Sequence, residues 1–243
     1  MTFTYQAYRD MLLLLQESGY SFQNYDNYQD APRCVILRHD IDYNLEASVK
    51  LAELEANAGI HSTYFVLLRT DFYNVASKAG QSALRHILSL GHKIGLHFDE
   101  TAYRTQLTLE ELSQNIIKEC GLLSALLETA VSSVSMHRPS KTTLESDLYI
   151  PEIVNSYGKT FFKDFKYLSD SRRHWREPVL DIIRSGEYSR LHILTHAFWY
   201  HDKDQSLFET VNTFIHSANQ ARYHQMEENI TNIAEIGLQS FDI

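Results

Sequence analysis

The chain is predicted to be an α/β protein whose strands run parallel, closed as a barrel or laid out as a doubly wound sheet. Short apolar runs alternate with longer segments of helical periodicity in at least six βα-like units, which is the pattern of a parallel sheet. Asp40, His97, His137 and His196 each close one of those short runs, and both architectures collect their sites at the C-terminal ends of strands. A length of 243 residues suits one undivided domain over residues 1–243, of which 1–30 form an N-terminal helical extension.

The elements follow in order. Tyr8, Leu12 and Leu15 share a face before Gly19 and predict a helix over 4–18, packed outside the barrel. Val35-Ile36-Leu37 mark a strand over 33–39, after which Asn44 caps a helix reaching about residue 58. Ser62 to Leu68 read as the next strand, followed by a helix near 78–90 and a strand over 92–98. Thr108 and Glu111 have the spacing of a capping box, and Leu112, Ile116, Cys120 and Leu123 then form one helical stripe. Strands are predicted at 132–137, 159–167 and 190–196. Leu207, Val211, Phe214, Ile215 and Ala218 mark a long amphipathic helix.

Composition narrows the function classes. A hydrophobic content of 44% with four prolines describes a compact globule, and a formal net charge of −9 gives no electrostatic reason to bind nucleic acid or an anionic membrane. Leu12 to Leu15 is too short to span a bilayer, and no signal-peptide pattern opens the sequence, so cytoplasmic residence is the expectation. Cys34 and Cys120 fall in different elements without metal-type spacing and read as reduced, buried thiols.

The stretch Arg38-His39-Asp40-Ile41-Asp42 places two carboxylates two residues apart at a strand end, where period-two geometry turns both to one side. Together with Gly91-His92-Lys93-Ile94-Gly95-Leu96-His97, His137-Arg138-Pro139 and Leu191-His192-Ile193-Leu194-Thr195-His196, it resembles the motif series of polysaccharide deacetylases of the NodB-homology class, over about residues 32–200. That resemblance implies a distorted (β/α) barrel using one divalent metal ion, zinc first, with manganese, cobalt, iron or nickel as the other candidates. It implies Asp40 as catalytic base, Asp42 and His97 as metal ligands, Arg138 as the arginine that steadies Asp40, and His196 as general acid. Asp170, or else Asp164, would supply the acid that orients His196. Where the family carries a second histidine ligand this chain has Thr101. His137 is the expected replacement, with Asp99 and Glu100 as competing donors, because such a site needs about three protein ligands and an open position.

The implied reaction is amide hydrolysis of an acylated amino sugar or glycan precursor, most plainly loss of acetyl, with Trp199, Tyr200 and Trp175 walling the substrate pocket by stacking on sugar rings. Two other readings stay open: an inactive glycan-binding or complex-forming barrel, for which Thr101 speaks, and a metal-independent amidohydrolase or an O-acyl esterase. Asp40 alone could cap a helix, and Arg38 and His39 could simply finish a strand. His92 and His192 begin strands, opposite the expected site. His86, His174, His201, His216 and His224 fall on helices or loops as surface residues.

Overall fold

A computed structural model describes residues 1–103, 106–230 and 232–237. The chain divides into two compact units, Met1–Asp202 and Lys203–Ile243. The first unit opens with helix α1 (Tyr5–Glu17), capped by the Thr4 hydroxyl and buried through Tyr5, Tyr8, Met11, Leu12 and Leu15. Strand β1 (Ser21–Gln23) follows, then β2 (Cys34–Ile41), α2 (Leu45–Asn57), β3 (Thr63–Leu67), α3 (Lys78–Ser89), β4 (Lys93–Asp99) and α4 (Leu109–Leu127). Beyond them lie β5 (Ser133–His137), α5 (Lys141–Glu145), β6 (Val154–Asn155), β7 (Lys166–Ser169), α6 (Val179–Ser185) and β8 (Arg190–Thr195).

The strands form one parallel sheet in the order β6-β5-β4-β3-β2-β8-β7, curled as an open half-barrel with helices around it. β3 meets β2 only from Arg38 onward, and β1 occupies the edge left free at Cys34–Ile36. Period-two alternation separates two packing layers. Phe65 and Ile36 pack inside with Tyr25, Phe161 and Phe165. Tyr64, Val66, Leu96, Phe98, Val134 and Met136 pack outside against Leu84, Ile87, Leu112, Ile116 and Leu123. Gly95 is the register partner of Phe65, and a Cβ there would come within 2.4–2.5 Å of the Phe65 ring. The barrel interior therefore needs glycine at that point of β4.

The expected elements differ from the observed ones in three places. β2 runs two residues past its expected end at 39, so that Asp40 is a strand residue. The strand expected over 159–167 is a π-helical turn at Thr160–Asp164 followed by β7; Phe161 and Phe165, four apart, bury together with ring centroids 5.7 Å apart, a helical spacing that outweighs aromatic β-propensity. Residues 1–30 are more than a helical extension, because β1 lies in the sheet. α1 itself reaches its outer face, where the Tyr8 hydroxyl donates to the buried Glu55 carboxylate. The cysteines are buried and free, as expected. Among the described residues no helix is long and apolar enough to cross a membrane.

The second unit is built on α7 (Leu207–Asn229), which starts at a capping box of Ser206 and Glu209.

Candidate metal centre and active site

Four strand ends converge: β2 carries Asp40 and is followed by Asp42, β4 carries His97, β5 carries His137, and His196 follows β8. Asp42 Oδ1 lies 3.3 Å from His97 Nε2 and 3.3 Å from His137 Nδ1, and the two nitrogens are 3.1 Å apart. Asp42 Oδ1 is buried with no hydrogen-bond partner. Atoms this close need either a shared ring proton or a cation between them. Tetrahedral coordination at about 2.0–2.1 Å places neighbouring donors about 3.3–3.4 Å apart, close to the triangle seen here. The residues present thus fit a divalent ion, with Asp42, His97 and His137 as the three-residue donor set. Burial acts to raise the Asp42 carboxyl, yet the imidazoles of His137 and His97 hold it well below the usual carboxylate range.

The competing donors are engaged elsewhere. The Asp99 carboxylate accepts from the Thr101 amide and hydroxyl at 2.9 and 2.7 Å, capping the short turn Glu100–Ala102. Glu100 accepts from the Ser140 amide and, at 2.6 Å, from the Thr143 hydroxyl. Thr101 is therefore a turn residue whose amide and hydroxyl are both spent on Asp99.

Asp40 is buried beside the triad, its Oδ2 3.7 Å from His97 Nε2. The arginine that steadies it is Arg38 and not Arg138. Arg38 Nε donates to Oδ1 at 3.1 Å and Nη2 to Oδ2 at 2.7 Å, and Nη1 donates to the Ser156 hydroxyl at 3.0 Å. The guanidinium is fully buried between the rings of Tyr157 and Phe65. Arg138 instead has an exposed side chain and a left-handed φ of 51°, with its charge felt at the Tyr43 hydroxyl. Residues two apart on a strand share a face, so the Arg38–Asp40 clamp closes within β2. Burial would raise the Asp40 carboxyl, but Arg38 and His97 bring it down to about 2.

On the other flank, His196 Nε2 stands 3.8 Å from Asp42 Oδ2. Its Nδ1 is 2.6 Å from Asp170 Oδ1, and Asp170 Oδ2 accepts from the His196 amide and the Tyr200 hydroxyl, both at 3.1 Å. Burial works against the imidazolium, yet Asp170, then Asp42 and Asp40, raise His196 to about 9. Asp164 lies exposed on the π-helical turn.

Two of the expected substrate contacts need correction. Tyr200 is fully buried and packs on Tyr8 and Phe3 with ring centroids at 5.1 and 5.6 Å, so it is a prop beneath Asp170 and cannot wall a pocket. Trp175 is half-buried and lies beside that same hydroxyl, behind Asp170. Trp199 stays next to His196, with ring centroids 6.4 Å apart. It continues an aromatic wall through Phe198 and Tyr43 to Phe72, which is 54% exposed. Neither Arg38 as the clamp nor Tyr43 and Phe72 in the aromatic wall stand out in the motif series. The i, i+2 spacing to Asp40 was the available signal for Arg38; the others come from distant segments and left none.

No family model and no curated protein sequence matches the chain. Solved structures do resemble it. A CE4 family pseudoenzyme from Bacillus anthracis is similar at 16% identity and a TM-score of 0.45, over 75% of this chain and 61% of that one. The Streptococcus pyogenes deacetylase PplD in complex with acetate is similar at 13% identity and a TM-score of 0.47, over 58% of this chain and 66% of that one. A family 4 carbohydrate esterase, also from Bacillus anthracis, is similar at 14% identity and a TM-score of 0.43, over 83% of this chain and 80% of that one. The chain spans less than two thirds of the length of the first two. Function is read from the side chains of this chain.

Proposed function

We propose that the protein is a divalent-metal-dependent hydrolase that removes an N-acyl group, most simply acetyl, from an amino sugar or glycan precursor. The observation that carries this reading is the Asp42–His97–His137 triangle with an ionised carboxylate and a charged imidazole on its two flanks. A divalent ion held there supplies a Lewis acid for a substrate carbonyl and acidifies a water to a pKa of about 7. Asp40, kept ionised and oriented by Arg38, receives the proton of the attacking water at the carboxylate edge facing the triad. His196 stays protonated at neutral pH and presents Nε2–H to the departing nitrogen, while Asp170 fixes its ring through Nδ1. Tyr43 and Phe72, backed by the buried Trp199, offer a wall on which a sugar ring stacks.

Metal titration together with acetate release from acetylated amino sugars tests the reading. The wild-type chain is expected to take up one equivalent of zinc, and Asp42→Ala to lose metal and activity together. Asp40→Asn should keep the metal and lose ~10²–10⁴-fold in turnover, the effect of removing a general base. Equal metal loss in both variants would make both aspartates ligands and leave the base to be found elsewhere. A wild-type chain that takes up no zinc, manganese, cobalt, iron or nickel would overturn the metal reading, and acetate release would then separate a metal-independent hydrolase from an inactive barrel.

A further inference from the structure

Ser135 stands where the metal triad and the catalytic carboxylate meet. It is the register partner of His97 across the β4–β5 pair, so both side chains project to the same face. Its side chain is fully buried. Oγ lies 2.6 Å from His97 Nδ1 and 3.2 Å from Asp40 Oδ1. A serine hydroxyl has one proton to give. Asp40, ionised and clamped by Arg38, only accepts, so the Ser135 proton goes to Asp40. The remaining lone pairs of Oγ then accept from His97 Nδ1–H, so that Nε2, facing Asp42 Oδ1 and His137 Nδ1, is the nitrogen left to bind a cation. The opposite tautomer would put a proton inside the donor triangle, in competition with a cation.

We propose that Ser135 is a positioning residue that selects the metal-binding tautomer of His97 and joins that ligand to Asp40 in one hydrogen-bonded chain, His97–Ser135–Asp40–Arg38–Ser156. The inference rests on the metal reading of the triad and adds a determinant of metal affinity that touches neither metal nor substrate. Partners of this kind, lying behind the ligands, typically govern metal affinity by 10–100-fold when removed.

The test is zinc binding to the full-length, metal-free protein by titration against a competing chelator, which requires no substrate. Ser135→Ala should weaken zinc binding by roughly 10–100-fold, and Ser135→Thr, which keeps the hydroxyl, should restore most of it. Nitrogen-15 NMR of the metal-free protein supplies a signature that loss of packing does not imitate: His97 is expected as the Nδ1–H tautomer in wild type and as a mixture in Ser135→Ala. Zinc affinity within twofold of wild type in Ser135→Ala, or an unchanged His97 tautomer, overturns the proposal even if the melting temperature falls. A wild-type chain that binds no zinc overturns the metal reading and this proposal with it, whereas zinc binding without acetate release overturns the hydrolase reading alone.

Discussion

At the scale of single residues, His196 makes the sharpest demand on experiment. Its folded value of about 9 lies above the ordinary 6.5, because Asp170 and the two site aspartates outweigh burial. A cation on Asp42 would cancel part of that support, so turnover of the metal-loaded enzyme should fall on an alkaline limb above 6.5 and no higher than about 9. Asp170→Asn should move that limb down toward about 6.5, the ordinary histidine value. A pH–rate profile in which the variant and wild type share one alkaline limb would remove Asp170 from this role. The same shift bears on folding: in the metal-free protein the stabilisation is fully present below the unfolded value of 6.5 and is lost as pH rises through about 9. His196→Ala should cost ~10²–10⁴-fold on an amide substrate and much less on an activated ester, whose leaving group departs without protonation. Equal losses on both substrates, or loss of metal, would make His196 a ligand or a structural histidine.

The residues that the sequence made legible share one property: Asp40, Asp42, His97, His137 and His196 all sit at the close of a short apolar run, where parallel α/β folds gather their chemistry. What was not legible depends on the third dimension. A motif likeness pointed to Arg138, yet the clamp is supplied two residues before its carboxylate. Tyr200 follows Trp199 in sequence but turns the other way, into the core. Ser135 looks like any strand serine until β4 is laid beside β5.

Among the elements, helix ends follow their local code. The Thr108–Glu111 capping box and the Asn44 cap are both present. Thr108→Ala should therefore cost ~1 kcal/mol, read as a lower urea midpoint at unchanged slope; no change would mean that the first turn of α4 frays without cost. A larger effect attaches to Glu55, the fully buried carboxylate near the end of α2. It accepts from the hydroxyls of Tyr8, Ser62 and Tyr64 and lies 2.8 Å from His39 Nε2, so it ties α1, β2 and β3 to α2. Burial raises it, but His39 and the other donors bring it down to about 2. Its contribution is therefore full above the ordinary glutamate value and lost as pH falls through about 2. Glu55→Ala leaves several buried donors unpaired and should destabilise the fold by ~3–5 kcal/mol in chemical denaturation. A loss below about 1 kcal/mol would show that the cluster can rearrange around the gap. Periodicity revealed the long elements. It could not reveal β1 and β6, of three and two residues, because an alternation that short has no statistical weight against a loop.

For the molecule as a whole, every residue assigned to the candidate site falls within Met1–Asp202. A chain ending at Asp202 is accordingly expected to fold and to bind zinc within a few-fold of the full chain; failure to fold, or stoichiometric loss of metal, would show that Lys203–Ile243 is needed to build the site.

β2 itself has a consequence for how this protein tolerates change. Along Arg38–Asp42 successive side chains serve different compartments: Arg38, Asp40 and Asp42 face the reaction, while His39 meets Glu55 and Thr195, and Ile41 joins the outer core. Replacement at Asp42 should strike chemistry in a protein that still folds, replacement at Arg38 should strike both because it leaves the buried Asp40 unpaired, and replacement at an odd position should strike folding first. Deleting one residue does neither in isolation: it exchanges the two compartments, delivering carboxylates to the hydrophobic layer and an isoleucine to the candidate metal site. Homologous chains that keep the activity should thus vary in letters along this stretch long before they vary in length.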